Sequence, residues 1–275
     1  MHNSIVSFAH YFRSPDLSKK TKLIGFVMGL TFCWSSIFPG SAVAAASPDT
    51  APQELQTLLQ QVDDAASQQN IRGVMKFYSP TLTHGDGLTY TNLEQALREL
   101  WQRYPNLTYR TELKSWEADG NAIVAETVTE INGVQTTPDR EYRLRATVRS
   151  RQRYENQQIV HQEILAEQSQ LTSGENPPNV QINLPDRVKI GRQYNFDAIV
   201  LEPLGDDLLL GAALEEPISI FGYMNPAKLD LQPLNAGGLF KIGQAPLVAN
   251  DRWISAVFIR HNGITFVTQR LEVSQ

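Results

Sequence analysis

The stretch Arg140-Glu-Tyr-Arg-Leu-Arg-Ala-Thr-Val-Arg-Ser-Arg-Gln-Arg-Tyr154 decides the fold of the first half of the chain. Tyr142, Leu144, Ala146 and Val148 alternate with Arg143, Arg145, Thr147, Arg149, Arg151 and Arg153. A period of two is the period of a β-strand, whose successive side chains point to opposite faces. One face of this strand is therefore apolar, and the other carries five arginines. The same period runs through Leu107–Glu117, Ala122–Ile131 and Gln158–Gln168. Turn residues separate these runs at Asp119-Gly120-Asn121, Asn132-Gly133 and Glu155-Asn156-Gln157. Four strands in antiparallel succession are expected.

Upstream the period is helical. In residues 53–68, Leu55, Leu58, Leu59, Val62, Ala65 and Ala66 form one apolar stripe. A second short helix carries Ile71, Val74, Met75 and Tyr78 and is expected to end at Ser79-Pro80. Gly85-Asp86-Gly87 reads as a tight turn between two short extended pieces. A third helix, capped by Thr91 or Asn92, buries Leu93, Ala96, Leu97, Leu100 and Trp101 and stops at Pro105-Asn106. Three helices followed by an antiparallel meander make an α+β domain: the sheet curls and the helices cover one face.

These elements resemble the nuclear transport factor 2-like superfamily, which includes ketosteroid isomerase-like and polyketide cyclase-like domains. The likeness rests on the paired helices through Phe77-Tyr78-Ser79-Pro80, the glycine turn, the Asn92–Tyr104 helix, and the strands joined by Asp119-Gly120-Asn121-Ala122-Ile123-Val124-Ala125. It covers about 120 residues and implies a cone-shaped curled sheet whose concave mouth holds a pocket. The isomerase-like members place a general base at the end of the first short strand. His84 sits where that carboxylate would be, and Asp86 follows two residues on. Here Pro80 precedes Thr81 rather than the aspartate usual in the family. A polar hairpin is the bland alternative. Tyr78, Tyr90, Trp101, Tyr104 and Trp116 form an expected ligand-pocket lining, although aromatics in such positions are more often plain core because each buries a large area of surface. Arg143, Arg145, Arg149, Arg151 and Arg153 form an expected protein interface, homodimeric pairing included, or a solvated face of cross-strand pairs with Glu112, Glu126, Glu130, Glu163 and Glu167.

Beyond a polar linker, Thr172–Asn179, the chain shows Val180–Leu184, Gln193–Leu201, Ile218–Tyr223, Trp253–Arg260 and Thr265–Val273 as short strands bounded by Gly, Pro, Asn or Asp. A C-terminal all-β sandwich domain over 180–275 is expected. Pro185–Phe196 resembles a strand of immunoglobulin-like or fibronectin-like domains, although no cysteine pair accompanies it. The 202–216 segment reads as an exposed loop or a buried hairpin.

The first 46 residues read as a signal peptide. Arg13, Lys19, Lys20 and Lys22 precede the apolar run 23–38, then Pro39-Gly40 and the small residues Ala42–Ala46. The 47–171 module would then be the mature N-terminus. An uncleaved anchor is the alternative, and a bulky Phe32 before Cys33 argues against lipidation. Removal of the segment leaves 20 basic and 28 acidic residues, a charge of −8, and no cysteine. Thiol chemistry is then excluded. Acidity disfavours general nucleic-acid binding. Two histidines in the first module, His84 and His161, lack metal-ligand spacing, and no phosphate loop or hydrolase motif is present. No metal and no cofactor is expected. The reading is an exported accessory protein, periplasmic or of the thylakoid lumen. It binds a small apolar ligand or an envelope or lumenal protein partner. The rival is an exported isomerase-like or cyclase-like enzyme using His84 or Asp86.

Overall fold

The computed structural model describes residues 46–138, 140–205, 207–224, 230–234, 236–261 and 263–275. The signal segment expected over 1–46, apart from Ala46, lies outside them, as does Cys33.

A 3-10 turn at Pro48–Thr50 leads into helix α1, Gln53–Ser67. Leu55, Leu58, Leu59 and Ala66 are its buried stripe, as the helical period requires. Helix α2, Ile71–Met75, is capped by Asn70, whose side chain accepts from the Gly73 amide. It ends three residues before Tyr78, which instead opens strand β1, Tyr78–His84. Pro80 is accommodated there because β1 pairs with its neighbour only at its ends, with a register shift between Tyr78 and Thr83. Helix α3, Tyr90–Arg103, starts earlier than its sequence suggests. Thr89 is the cap and Asn92 closes a reciprocal capping box with it, so Asn92 serves from inside the helix.

Strands β2 (Asn106–Asp119), β3 (Ala122–Thr136), β4 (Glu141–Glu155) and β5 (Gln158–Ser173) form the expected meander. Bulges after Leu113, Arg149 and Arg153 bend it. Asn132-Gly133 is not a turn. It lies inside β3, and Gly133 faces Leu107 so closely that a Cβ would fall 2.3 Å from the Leu107 Cδ2. The glycine is there for close strand approach. Strand β1 runs parallel to β5. Helices α1 to α3, β1 and the sheet enclose one core around Leu58, Val74, Trp101, Tyr104, Leu107 and Ile159.

The C-terminal half adds β6 (Val180–Asn183), β7 (Arg187–Lys189), β8 (Gln193–Val200), β9 (Leu209–Pro217), helix α4 (Ile220–Met224), β10 (Gln232–Leu234), β11 (Gly238–Gln244), β12 (Arg252–Arg260) and β13 (Gly263–Ser274). Two corrections to the sequence reading apply. Ile218–Tyr223 is not a strand: Pro217 ends β9, and the Ser219 hydroxyl accepts from the Gly222 amide to start α4. The 202–216 loop is largely strand β9, central in the sheet between β10 and β12, with Leu209 fully buried.

A three-stranded sheet β11-β8-β6 packs on the β9-β12-β13 layer around Phe196, Leu239, Ala256, Phe258 and Leu271. That layer is not separate from the first half. β13 pairs antiparallel with β5 from Ile264↔Ser173 to Gln269↔Gln168, so one ten-stranded sheet runs through both halves. Thr172 and Ser173, placed by sequence in the linker, are paired strand residues on both sides.

Candidate functional site

The seam between the halves holds the most densely charged buried site among the described residues. The turn after β1 carries Asp86. Its carboxylate receives two guanidinium nitrogens of Arg270 from β13, at 3.0 and 2.6 Å, and the Tyr223 hydroxyl of α4 at 2.6 Å. Arg270 also donates to Asp251 at 2.9 Å and lies 3.9 Å from Glu167 of β5. The Glu167 carboxylate accepts from the Trp253 indole at 2.9 Å, and Trp253 meets Tyr223 edge-to-face at 4.9 Å. The Arg270 and Asp86 side chains are 2% and 7% exposed. An ion that deep is tolerable only when paired and hydrogen-bonded, which is why one guanidinium gathers three carboxylates.

His84, equally buried, turns its Nδ1 to the Asp86 amide at 3.1 Å and stands 4.0 Å from the Asp86 carboxylate. Burial holds the His84 imidazole below its ordinary value; Asp86 opposes this, while Arg270 and His161 add to it. Burial alone would raise Asp86, but the Arg270 hydrogen bonds and charge, with Tyr223 and His84, hold it below the ordinary carboxylate range. Glu167 moves the other way: burial raises it, against the Trp253 bond and the Arg270 charge. At neutral pH Asp86 is thus ionised, and its oxygens are taken up by Arg270 and Tyr223. A general base needs a lone pair aimed at a substrate proton; here the lone pairs point into protein.

Tyr78, Trp101 and Tyr104 belong to the packed core, Tyr104 at 1% exposure. The Trp101 indole donates to the Tyr109 hydroxyl at 2.9 Å. Tyr90 packs half-buried on the same core. Trp116 sits on β2, where its indole donates to the Ser47 carbonyl and the Thr50 hydroxyl, both at 3.2 Å. An open cleft of about 470 Å³ lies elsewhere, lined by Arg140, Arg143, Ser173 and Glu175.

Arg143, Arg145, Arg149, Arg151 and Arg153 do share one face of β4, as the alternation of exposed and half-buried positions shows. Arg149 pairs with Glu126 at 2.7 Å, Arg151 with Glu117 at 2.8 Å, Arg143 with Glu141 at 2.9 Å, and Arg153 with Asp119 and Glu155. Arg145 forms no ion pair among the described residues. Glu167 is not on this face. The bulge opposite Arg149 and Ser150 reverses the parity of β5, so Glu163 faces Arg151 while Glu167 pairs with Val148 and turns to the buried cluster.

A family model described as a domain of unknown function (DUF8623) matches residues 175–274. No curated protein is similar to the chain at a significant level. Among solved structures, the chain is similar to Bd1075 of Bdellovibrio bacteriovorus, at 14% identity and a TM-score of 0.30, over 41% of this chain and 39% of that one. The chain thus spans about two fifths of that protein's length. It is also similar to an LEH-like epoxide hydrolase of M. tuberculosis, at 15% identity and a TM-score of 0.30, covering 40% of this chain and 80% of that one. A SnoaL-like protein of Shewanella putrefaciens matches at 14% identity and a TM-score of 0.32, covering 42% and 89%.

The sequence reading named His84 and Asp86 but missed the Asp86 partners Arg270 and Tyr223 and the Asp251, Glu167 and Trp253 that surround them. One signal was available. Gly263–Ser274 carries two charges, Arg270 and Glu272, among apolar and uncharged polar residues, and a charge at a buried strand position demands a counter-ion. Nothing local says which carboxylate supplies it.

Proposed function

We propose that the chain is an exported, non-catalytic accessory protein that works by binding a protein partner in the periplasm or thylakoid lumen. The observation that carries this reading is the engagement of Asp86 by Arg270 and Tyr223. An isomerase-like or cyclase-like mechanism would need that carboxylate, or His84 beside it, turned toward an open cavity. Instead Asp86 is held across the seam by Arg270 and Tyr223, and His84 accepts from the Asp86 amide within the turn. The aromatic residues that could line a ligand pocket support the same view, since Trp101, Tyr104 and Tyr78 pack against one another's neighbours in the core.

The arginine face of β4 is the surface proposed for the partner. It is broad and exposed, and arginine is favoured at interfaces for its planar, multi-donor head. The test is affinity capture of the tagged full chain from envelope or lumenal extracts of the source cells. Wild type is expected to retain one protein in stoichiometric amount, and Arg145→Glu with Arg149→Glu is expected to lose it. Recovery of a small molecule with no protein, or capture indifferent to the arginines, refutes this reading.

A further inference from the structure

Every large apolar side chain that stands exposed among the described residues lies in the C-terminal half, between Ile190 and Val248. Four of them, Ile190, Ile242, Leu247 and Val248, lie toward the end of the small sheet where β8 begins and β11 ends, and Phe240 lies two residues before Ile242 on β11. Phe240 and Ile242, 60% and 74% exposed, project from the same side of β11. Leu247 and Val248, 81% and 66% exposed, follow in the next loop. Ile190 lies in the adjoining β7–β8 turn. The two segments are tied together: the Gly191 amide donates to the Pro246 carbonyl, and the Ala245 amide to the Arg192 carbonyl, each at 2.9 Å. β11 is also an edge strand, paired only with β8 in its sheet.

The cations are distributed just as unevenly. Arg187, Arg252, Arg260 and Arg270 are each ion-paired. Lys189, Arg192 and Lys241 are exposed and form no ion pair among the described residues, and all three flank the apolar cluster. The carboxylate nearest in register is Asp197, opposite Phe240. Among the described residues, this acidic half therefore places its unpaired lysine and arginine charge near Leu247, Ile242 and Val248, its three most exposed large apolar side chains.

We propose that this end of the molecule, Lys189–Arg192 with Phe240–Val248, docks on an anionic lipid surface. Apolar side chains on a strand edge and a loop tip insert at the headgroup boundary, and the flanking cations meet lipid phosphates. A lipid surface suits these protrusions because it needs no shape complementarity. An acidic protein strand adding to the edge of β11 is the competing occupant.

The test must separate this end from the apolar segment 23–38, which could bind lipid by itself. A Cys33→Ser background carries an environment-sensitive fluorophore on Leu247→Cys, or on Glu112→Cys of β2 as the control position. Vesicles of phosphatidylcholine with about one third phosphatidylglycerol are expected to shift the Leu247 label to the blue and leave the Glu112 label unchanged. Vesicles of pure phosphatidylcholine are expected to shift neither label. Reversing Lys189, Arg192 and Lys241 to Glu is expected to weaken the response roughly a hundredfold in lipid concentration, with the circular dichroism spectrum unchanged. A silent Leu247 label, an equal response to neutral vesicles, or equal shifts at both positions overturns the proposal. So does crosslinking of β11 to an acidic protein with no lipid response.

Discussion

Asp86 and Arg270 lie 184 residues apart in the chain and meet as a bidentate ion pair, 2.6 and 3.0 Å between nitrogen and oxygen. The pair joins the turn after β1 in the N-terminal half to strand β13 of the C-terminal half, beside the point where β13 adds to β5. It makes the two halves interdependent, and the sharpest predictions concern it.

Arg270→Met leaves Asp86, Asp251 and Glu167 facing each other without their cation. The expected loss is about 3–5 kcal/mol, the range for breaking a buried pair from one side. Asp86→Asn is expected to cost less, because Asn can still accept from Tyr223. The double variant is expected to lose less than the two single losses together, by about 0.5–3 kcal/mol. Urea unfolding of the four proteins measures this; strict additivity would mean that the contact carries no coupling.

The pH dependence has a definite sign. His84 is held below its ordinary 6.5, so the unfolded chain binds the proton more readily than the folded one. Its contribution is full above that value and is lost as pH falls through it toward the lower folded value. Asp86, held below 3.8, adds a second loss of the same sign at still lower pH. Glu167, held above 4.5, has the opposite sign: its contribution is present below 4.5 and lost as pH rises through the folded value. His84→Asn keeps an acceptor for the Asp86 amide without the titration. It is expected to flatten the fall in melting temperature between about pH 7 and pH 5; an unchanged slope would assign that fall to other groups.

Gly133→Val drives a side chain into Leu107, which is 1% exposed and cannot swing aside. The expected penalty is about 1–3 kcal/mol, typical of overpacking. Differential scanning calorimetry reads it as a lowered Tm. A neutral result would show that β2 and β3 can separate locally at no cost.

Asp63 links α1 to the sheet by accepting from the Thr111 amide at 2.5 Å and from its hydroxyl at 2.6 Å. Asp63→Ala leaves that amide without its side-chain partner, so a loss of about 1–3 kcal/mol is expected. Hydrogen exchange is expected to quicken first at Thr111, and uniform exchange would place the effect elsewhere.

The arginine pairs of β4 are exposed, so Arg149→Ala and Arg151→Ala are each expected to cost under about 1 kcal/mol in the isolated chain. A larger and concentration-dependent loss, seen by repeating the melt at several protein concentrations, would show that the face is buried between copies.

Much of the first half was legible because burial there follows one period at a time. Leu55, Leu58 and Leu59 mark the inward side of α1, and the alternation from Tyr142 to Arg153 marks both sides of β4. Misreadings fall where a local signal served another purpose. Asn132-Gly133 resembles a turn, yet the glycine makes room for Leu107. Ile218–Tyr223 has strand composition, yet Ser219 starts a helix. Glu167 has the right spacing for the arginine face, yet a bulge turns it inward.

Over residues 53–168 the amino-acid sequence by itself determined the order of helices and strands and which side of each is apolar, because those properties depend on neighbours three or four residues away, or two. Only the tertiary structure decided that β13 continues the sheet of β5 and that Asp86 belongs to Arg270. Which strand edges meet, and which buried charge answers which, depends on segments far apart in the chain, and no local periodicity encodes that choice.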